Sequence, residues 1–102
     1  VNEVAIKRMK PGAILINTSR GGVVDEEALR RALGERRLAA AGLDVFASEP
    51  LGPDDPLLSL DNVVVTPHVA YLTAETMVRS IRVAAENCRR LASKEELLHR
   101  VV

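Results

Sequence analysis

The sequence predicts an α/β fold built on a parallel sheet, and three observations predict it. Residues 13–16 and 63–65 are short, unbroken apolar runs, the pattern of strands covered on both faces rather than alternating between core and water. A helical stripe of Ala28, Leu29, Ala32 and Leu33 separates the first run from a further apolar stretch over 38–45, the spacing of a strand–helix–strand unit with a right-handed crossover. Apolar residues are 47% of the 102 and charged residues 27%, enough for one core in one soluble globular domain and too apolar for a disordered chain.

Residues 2–10 open the chain as a helix. Asn2 is placed to cap it, Val4, Ala5, Ile6 and Met9 supply apolar positions, and Lys7, Arg8 and Lys10 put cations where the helix dipole favours them. Pro11-Gly12 stops the helix and turns the chain into the first strand. Residues 17–22, Asn-Thr-Ser-Arg-Gly-Gly, form a polar loop whose glycines serve a turn. Asp25 then caps a second helix, with Glu26 and Glu27 in its first turn and Gly34 at the C′ position beyond its end. The strand over 38–45 contains Gly42-Leu43-Asp44-Val45. From 46 to 61 periodicity is lost and Pro50, Gly52, Pro53 and Pro56 accumulate, a long loop with one turn at 57–60; loops of that length in compact domains are often functional. The third strand, 63–65, ends at Thr66-Pro67. Thr73 caps a last helix running to about His99. Its stripe of Met77, Ile81, Ala84, Cys88 and Leu91 reads first as core packing and second as a dimer or interdomain contact.

Charge and composition exclude several classes of function. Lys plus Arg (14) balance Asp plus Glu (14), so no net field draws the chain to nucleic acid or an anionic membrane. No apolar run approaches the roughly 18 residues of a membrane span, and the first ten residues lack the apolar centre of a signal peptide. Cys88 stands alone, which rules out an internal disulfide or a Cys-based zinc site and fits a reducing, cytoplasmic setting. The chain opens at Val1, in what reads as a helix already under way, and no GxGxxG follows a strand. The expectation is a fragment of a longer protein that lacks the glycine-rich half of the sheet and most of any substrate domain.

Ligands of open parallel sheets bind outside the C-terminal ends of the strands, and polar residues gather there. Thr18, Ser19 and Arg20 follow the first strand, Asp44 and Glu49 the second, and His68 the third. Each also has a plain structural reading: Arg20 as a solvated loop cation, Glu49 as a surface acid, His68 as a satisfied loop histidine. Asp44 resists that treatment, because an unpaired buried carboxylate is costly; it either ends its strand in a polar crevice or bonds backbone donors. His99 lies among charges and has no role.

The words around these residues are specific. MKPGAILINTSRGGVVDEEAL, AAAGLDVFASEPL and DNVVVTPHVAYLTAET, in that order, resemble the D-isomer-specific 2-hydroxyacid dehydrogenase family over residues 6–90. The resemblance implies the C-terminal half of a Rossmann-like doubly wound parallel sheet that binds NAD or NADP, NAD being favoured. It implies that Arg20 binds the substrate carboxylate, whose geometry matches a guanidinium. It implies that His68 is the acid/base for the ketone oxygen, a task suited to imidazole near neutral pH, with Glu49 as its partner. Asp44 would contact the nicotinamide carboxamide, and Thr18, Ser19, Arg20 and the His68, Val69, Ala70, Tyr71 stretch would border the ring. Arg20, Glu49 and His68 are thus expected to meet around one pocket. Many relatives have small residues after the His, where this chain has Val69, Ala70 and Tyr71, so the particular ketoacid is open; the phrasing around residues 39–58 leans towards glyoxylate or hydroxypyruvate reductases. Homodimers through this domain are also implied.

The same residues fit a second reading, an NAD(H)-sensing, non-catalytic relative of the corepressor type. Turnover of ketoacids, against tight NADH binding without turnover, separates the two. A third reading, a self-standing structural module, would leave an open sheet edge.

Overall fold

Asn2 sets the start of the first helix: its side-chain oxygen accepts a hydrogen bond from the Ala5 amide at 3.0 Å. In the computed structural model, which describes residues 1–101, this helix, α1, spans Glu3–Arg8. It ends at Arg8 rather than at Lys10, and Val1 lies ahead of the cap rather than inside a helix. Pro11 has no N–H to give the Lys7 carbonyl, and the Arg37 guanidinium donates to it instead at 2.8 Å, as it does to the Met9 carbonyl.

The described residues form two units, Val1–Ala70 and a second beginning at Tyr71. In the first, β1 (Ala13–Asn17), β2 (Leu38–Leu43) and β3 (Val63–Val65) make a parallel sheet in the order β1-β2-β3. Ile14 pairs with Ala40 and Asn17 with Leu43, while Ala41 pairs with Val63, so all three strands end on the same side. The helix α2 (Glu26–Gly34) connects β1 to β2, and Asp25 caps it by accepting from the Ala28 amide at 3.0 Å. Leu29, Leu33 and Leu38 are almost fully buried with Ile6, Leu15, Ala41, Leu43 and Phe46 in one core. Truncating any of the three leucines to alanine would cost about 2–5 kcal/mol.

Further expectations for this unit need correction. The sheet is parallel, but it is not covered on both faces: Ile14, Ile16 and Val64 remain 65%, 73% and 69% exposed. The strands are apolar at both parities, yet only the parity of Leu15 turns towards the core, where α2 packs on β2. Gly34 is not the C′ residue of α2. It is the last helical residue, Glu35 is the cap, and the left-handed backbone falls on Arg36 at φ 55°. The Arg36 amide reaches the Leu33 carbonyl at 3.0 Å while its guanidinium grips Asp61 at 2.7 and 2.9 Å. β2 stops at Leu43 rather than Val45, and the loop after it carries a 3-10 turn at Pro56–Ser59. That turn is capped by Asp55, which accepts from the Leu57 amide at 2.9 Å.

In the second unit Thr73 caps α3 (Ala74–Ala92) by accepting from the Thr76 amide at 3.1 Å. The helix does not continue to His99. The Lys94 amide bonds the Leu91 carbonyl at 3.2 Å and the Glu95 amide bonds the Arg90 carbonyl at 2.8 Å, a Schellman ending with Lys94 at φ 56° in place of the usual glycine. Arg89 joins Glu86 and Glu95, each at 2.8 Å, and Arg90 joins Glu86 at 2.7 Å. Hydrogen bonds from these two arginines pull the Glu86 carboxyl down to about 2. No α3 residue is buried, so the stripe of Met77, Ile81, Ala84, Cys88 and Leu91 is not core among the described residues.

Candidate active site

Because the strands are parallel, the loops leaving β1, β2 and β3 emerge at one end of the sheet, and each has its own internal fastening. The first turns on Asn17, which is buried. Its Oδ1 accepts from the Ser19 amide at 3.1 Å and hydroxyl at 2.9 Å, and its Nδ2 donates to the Arg20 carbonyl at 3.0 Å. This Asx-type turn leaves Thr18, Ser19 and Arg20 exposed. The Arg20 Nη1 donates to the Ser19 carbonyl at 2.6 Å.

Gly21 joins the first loop to the second. A Cβ there would sit 1.9 Å from the Phe46 carbonyl carbon and 2.4 Å from the Ala47 nitrogen, so no other residue fits without moving backbone. In the second loop the Phe46 amide donates to Glu49 Oε1 at 2.9 Å, which aims the other carboxylate oxygen, Oε2, at His68 Nδ1, 2.8 Å away. The Glu49–Pro50 peptide is cis. The Glu49 carboxyl is held below the usual range by the hydrogen bond to His68 first and by that from the Phe46 amide second; the charges of His68 and Arg20 add to this, against a smaller opposing effect of burial.

The third loop is held by Asp44. This carboxylate is buried, and its Oδ1 accepts from the Thr66 hydroxyl and from the Val69 amide at 2.9 Å, while Oδ2 accepts from the Ala70 amide at 2.9 Å. Its donors bracket His68 on both sides. Burial pushes the Asp44 carboxyl up, but the Thr66, Ala70 and Val69 hydrogen bonds and the nearby His68 outweigh it, and the net shift is downward. Between those fastenings His68 adopts a left-handed backbone at φ 56°, its amide bonded to the Thr66 carbonyl at 3.0 Å. Such a backbone is uncommon outside glycine and is maintained where surrounding bonds over-determine it.

The Glu49–His68 pair stands at the wall of a cleft of about 530 Å³, whose apolar side is formed by Phe46, Leu51, Leu58 and Val65. The expected meeting of three residues is therefore observed for two. Arg20 is near enough for its charge to act on Glu49, but it does not line this cleft. Asp44 takes the second of its two sequence-level options, bonding backbone donors. Its Oδ2 has one protein donor and keeps a lone pair for another N–H. Val69 and Ala70 contribute amides to Asp44; Tyr71 is exposed and opens the second unit. Sequence reasoning missed Asn17, Gly21 and Thr66. The Asn-x-Ser spacing signals an Asx turn, but the contact between Gly21 and Phe46 joins residues far apart in the chain and leaves no local trace. Among the described residues no group of three or more His, Cys, Asp or Glu could hold a metal ion, and no helix is long and apolar enough to cross a membrane.

Comparison with known proteins places this arrangement. The chain is 55% identical over 87 residues to a glyoxylate reductase of Korarchaeum cryptofilum, a match covering 85% of this chain and 26% of that protein. It is 48% identical over 86 residues to a D-3-phosphoglycerate dehydrogenase of Archaeoglobus fulgidus, covering 84% of this chain and 16% of that one. Among solved structures, a D-isomer specific 2-hydroxyacid dehydrogenase from Xanthobacter autotrophicus Py2, in complex with NADPH and MES, superposes with a TM-score of 0.86 at 40% identity over 98% of this chain and 40% of its own. The chain thus spans only a minor part of the length of the relatives it matches. The family description that fits residues 1–70 is the D-isomer specific 2-hydroxyacid dehydrogenase, NAD binding domain. With the parallel sheet and the three converging loops, that match over more than half its length shows that the chain belongs to the D-isomer specific 2-hydroxyacid dehydrogenase family.

Proposed function

We propose that this chain carries the acid/base pair and the carboxylate-binding cation of an NAD(P)-dependent dehydrogenase that interconverts a small 2-ketoacid and its D-2-hydroxyacid. The observation that carries the reading is the 2.8 Å contact between His68 Nδ1 and Glu49 at the wall of an apolar cleft. Engagement of Nδ1 leaves Nε2 to give a proton to the ketone oxygen in reduction and to remove it in oxidation. Glu49 fixes the ring's orientation and its tautomer. Arg20, on the neighbouring loop and exposed, offers paired donors to the substrate carboxylate once its guanidinium leaves the Ser19 carbonyl.

A nicotinamide cofactor supplies or takes the hydride when bound. The donors and acceptors at the strand ends fit one: the exposed Thr18 and Ser19 hydroxyls, the free lone pair of Asp44 Oδ2, and the His68, Val69 and Ala70 stretch. NAD and NADP are both candidates, since the family description names an NAD binding domain and a solved neighbour is in complex with NADPH. Glyoxylate and hydroxypyruvate are the first substrates to test, since relatives at 52–55% identity are named glyoxylate or glyoxylate/hydroxypyruvate reductases. A cytoplasmic homodimer, formed through this domain, completes the reading.

The test is an assay of the protein at its natural length with glyoxylate, hydroxypyruvate and phosphohydroxypyruvate, each with NADH and NADPH. Turnover of at least one pair is expected. Tight NADH binding with no turnover of any would replace the dehydrogenase with an NAD(H)-sensing protein.

A further inference from the structure

Glu26 is read from sequence only as a helix-favouring acid in the first turn of α2, yet in the structure its side chain reaches away from that helix. Its Oε1 accepts from the Ala47 amide at 2.6 Å, across 21 residues of chain. Ala47 directly follows Phe46, whose own amide holds Glu49. The backbone between them is also the surface on which Gly21 rests. The carboxylate of Glu26 and the carboxylate of Glu49 therefore grip consecutive amides of one loop, Glu26 from outside it and Glu49 from within. The neighbouring first-turn acid, Glu27, does something different: it pairs with Arg30 and Arg31 on its own helix.

We propose that Glu26 is a positioning residue for the Glu49–His68 pair. It acts through the Ala47 amide, anchoring the 46–49 loop to the start of α2 so that Glu49 meets His68. This inference rests on the dehydrogenase reading of the same site. Reacting groups must be held within a fraction of an ångström by neighbours that are themselves fixed, so a loop free to drift weakens the contact without abolishing it. The requirement is for a hydrogen-bond acceptor at position 26 and not for a charge, which separates this role from a simple contribution to the helix dipole.

The experiment compares Glu26→Ala, Glu26→Gln and Glu27→Ala with Glu49→Gln in the protein at its natural length, using glyoxylate and NADH and the pH profile of turnover. Glu26→Ala is expected to lower kcat by ~3–10-fold and to change the pH profile of ketoacid reduction in the same direction as Glu49→Gln, with KM for NADH within about twofold of wild type. Glu26→Gln keeps an acceptor and should recover most of the loss. Glu27→Ala should behave as wild type. Hydrogen exchange in peptides containing Ala47 gives a readout without activity: Glu26→Ala should speed it and Glu27→Ala should not. The proposal is overturned if Glu26→Ala leaves the profile in place, if Glu27→Ala has the same effect, if Glu26→Gln is as impaired as Glu26→Ala, or if Ala47 exchange is unchanged. Should Glu49→Gln itself leave the profile unmoved, the acid/base reading falls and takes this inference with it. If Glu49→Gln moves the profile and Glu26→Ala does not, Glu26 alone is removed.

Discussion

Arg20 and His68 end up on the two outer loops of the same sheet, and the chain treats them in opposite ways. His68 is flanked by donors fixed to the buried Asp44, its ring is held by Glu49, and its backbone is confined to the left-handed region. Arg20 has a tethered backbone, but its exposed guanidinium donates to the carbonyl of the preceding residue. The difference suits their proposed tasks. A proton donor must be aimed before the reaction starts, because its geometry sets the rate. A cation that recognises a carboxylate can close on it as it arrives, with long-range attraction doing the early work.

The sharpest way to break this contrast is to remove the imidazole. His68→Ala should lower ketoacid turnover by ~10²–10⁴-fold while NADH affinity, followed by fluorescence titration, stays near wild type; normal turnover would strip His68 of its role. Next in size is Gly21→Ala, which forces a methyl group into the Phe46–Ala47 backbone. A loss of about 2–4 kcal/mol in urea denaturation is expected, with activity falling beside it. Arg20→Ala should leave the denaturation midpoint in place and raise KM for the ketoacid by ~10–100-fold. A large loss of stability there would show that the guanidinium is structural after all.

Smaller effects follow from the pair itself. Glu49→Gln weakens the acceptor that aims the imidazole, so ketoacid turnover should fall by ~10-fold and its pH profile should change. The last prediction concerns stability. The Glu49 carboxyl is depressed below its ordinary 4.5 in the folded protein, so its contribution is fully present above that value and is lost as pH falls through the depressed one. The difference in denaturation midpoint between wild type and Glu49→Gln should therefore be constant near neutrality and shrink on the acid side of 4.5. A gap that widens in acid would reverse the sign and sink the argument.

What could be read in advance was what is local. Asn2, Asp25 and Thr73 were legible as caps because a side-chain acceptor three residues ahead of an orphan amide is a short-range pattern. The three strands were legible as unbroken apolar runs, and the placement of residues 20, 44, 49 and 68 at one end of the sheet followed from strands running in parallel. The end of α3 was not legible, because its Schellman turn places Lys94 where a glycine would have given it away. Nor was the end of α2, where Arg36 takes the left-handed position and an ion pair with Asp61 accompanies it. The exposure of Ile14 and Ile16 was hidden for another reason: residue type alone does not say which parity of a strand meets a helix. In the site, the triple grip of Asp44 was half-anticipated as a buried carboxylate in need of donors, whereas the bond from Glu26 to Ala47 depends on tertiary placement alone.

The absence of a side chain at position 21 has an effect on the diversity this scaffold tolerates. Where main chain lies directly on main chain, the separation of two loops is set by atoms that every amino acid shares, and exchange of surrounding residues leaves it unaltered. Exchange of Leu51 or Leu58 would then reshape the wall of the cleft while the 2.8 Å contact between Glu49 and His68 keeps its dimensions. One missing carbon thereby uncouples the lining of the cleft from the pair beside it.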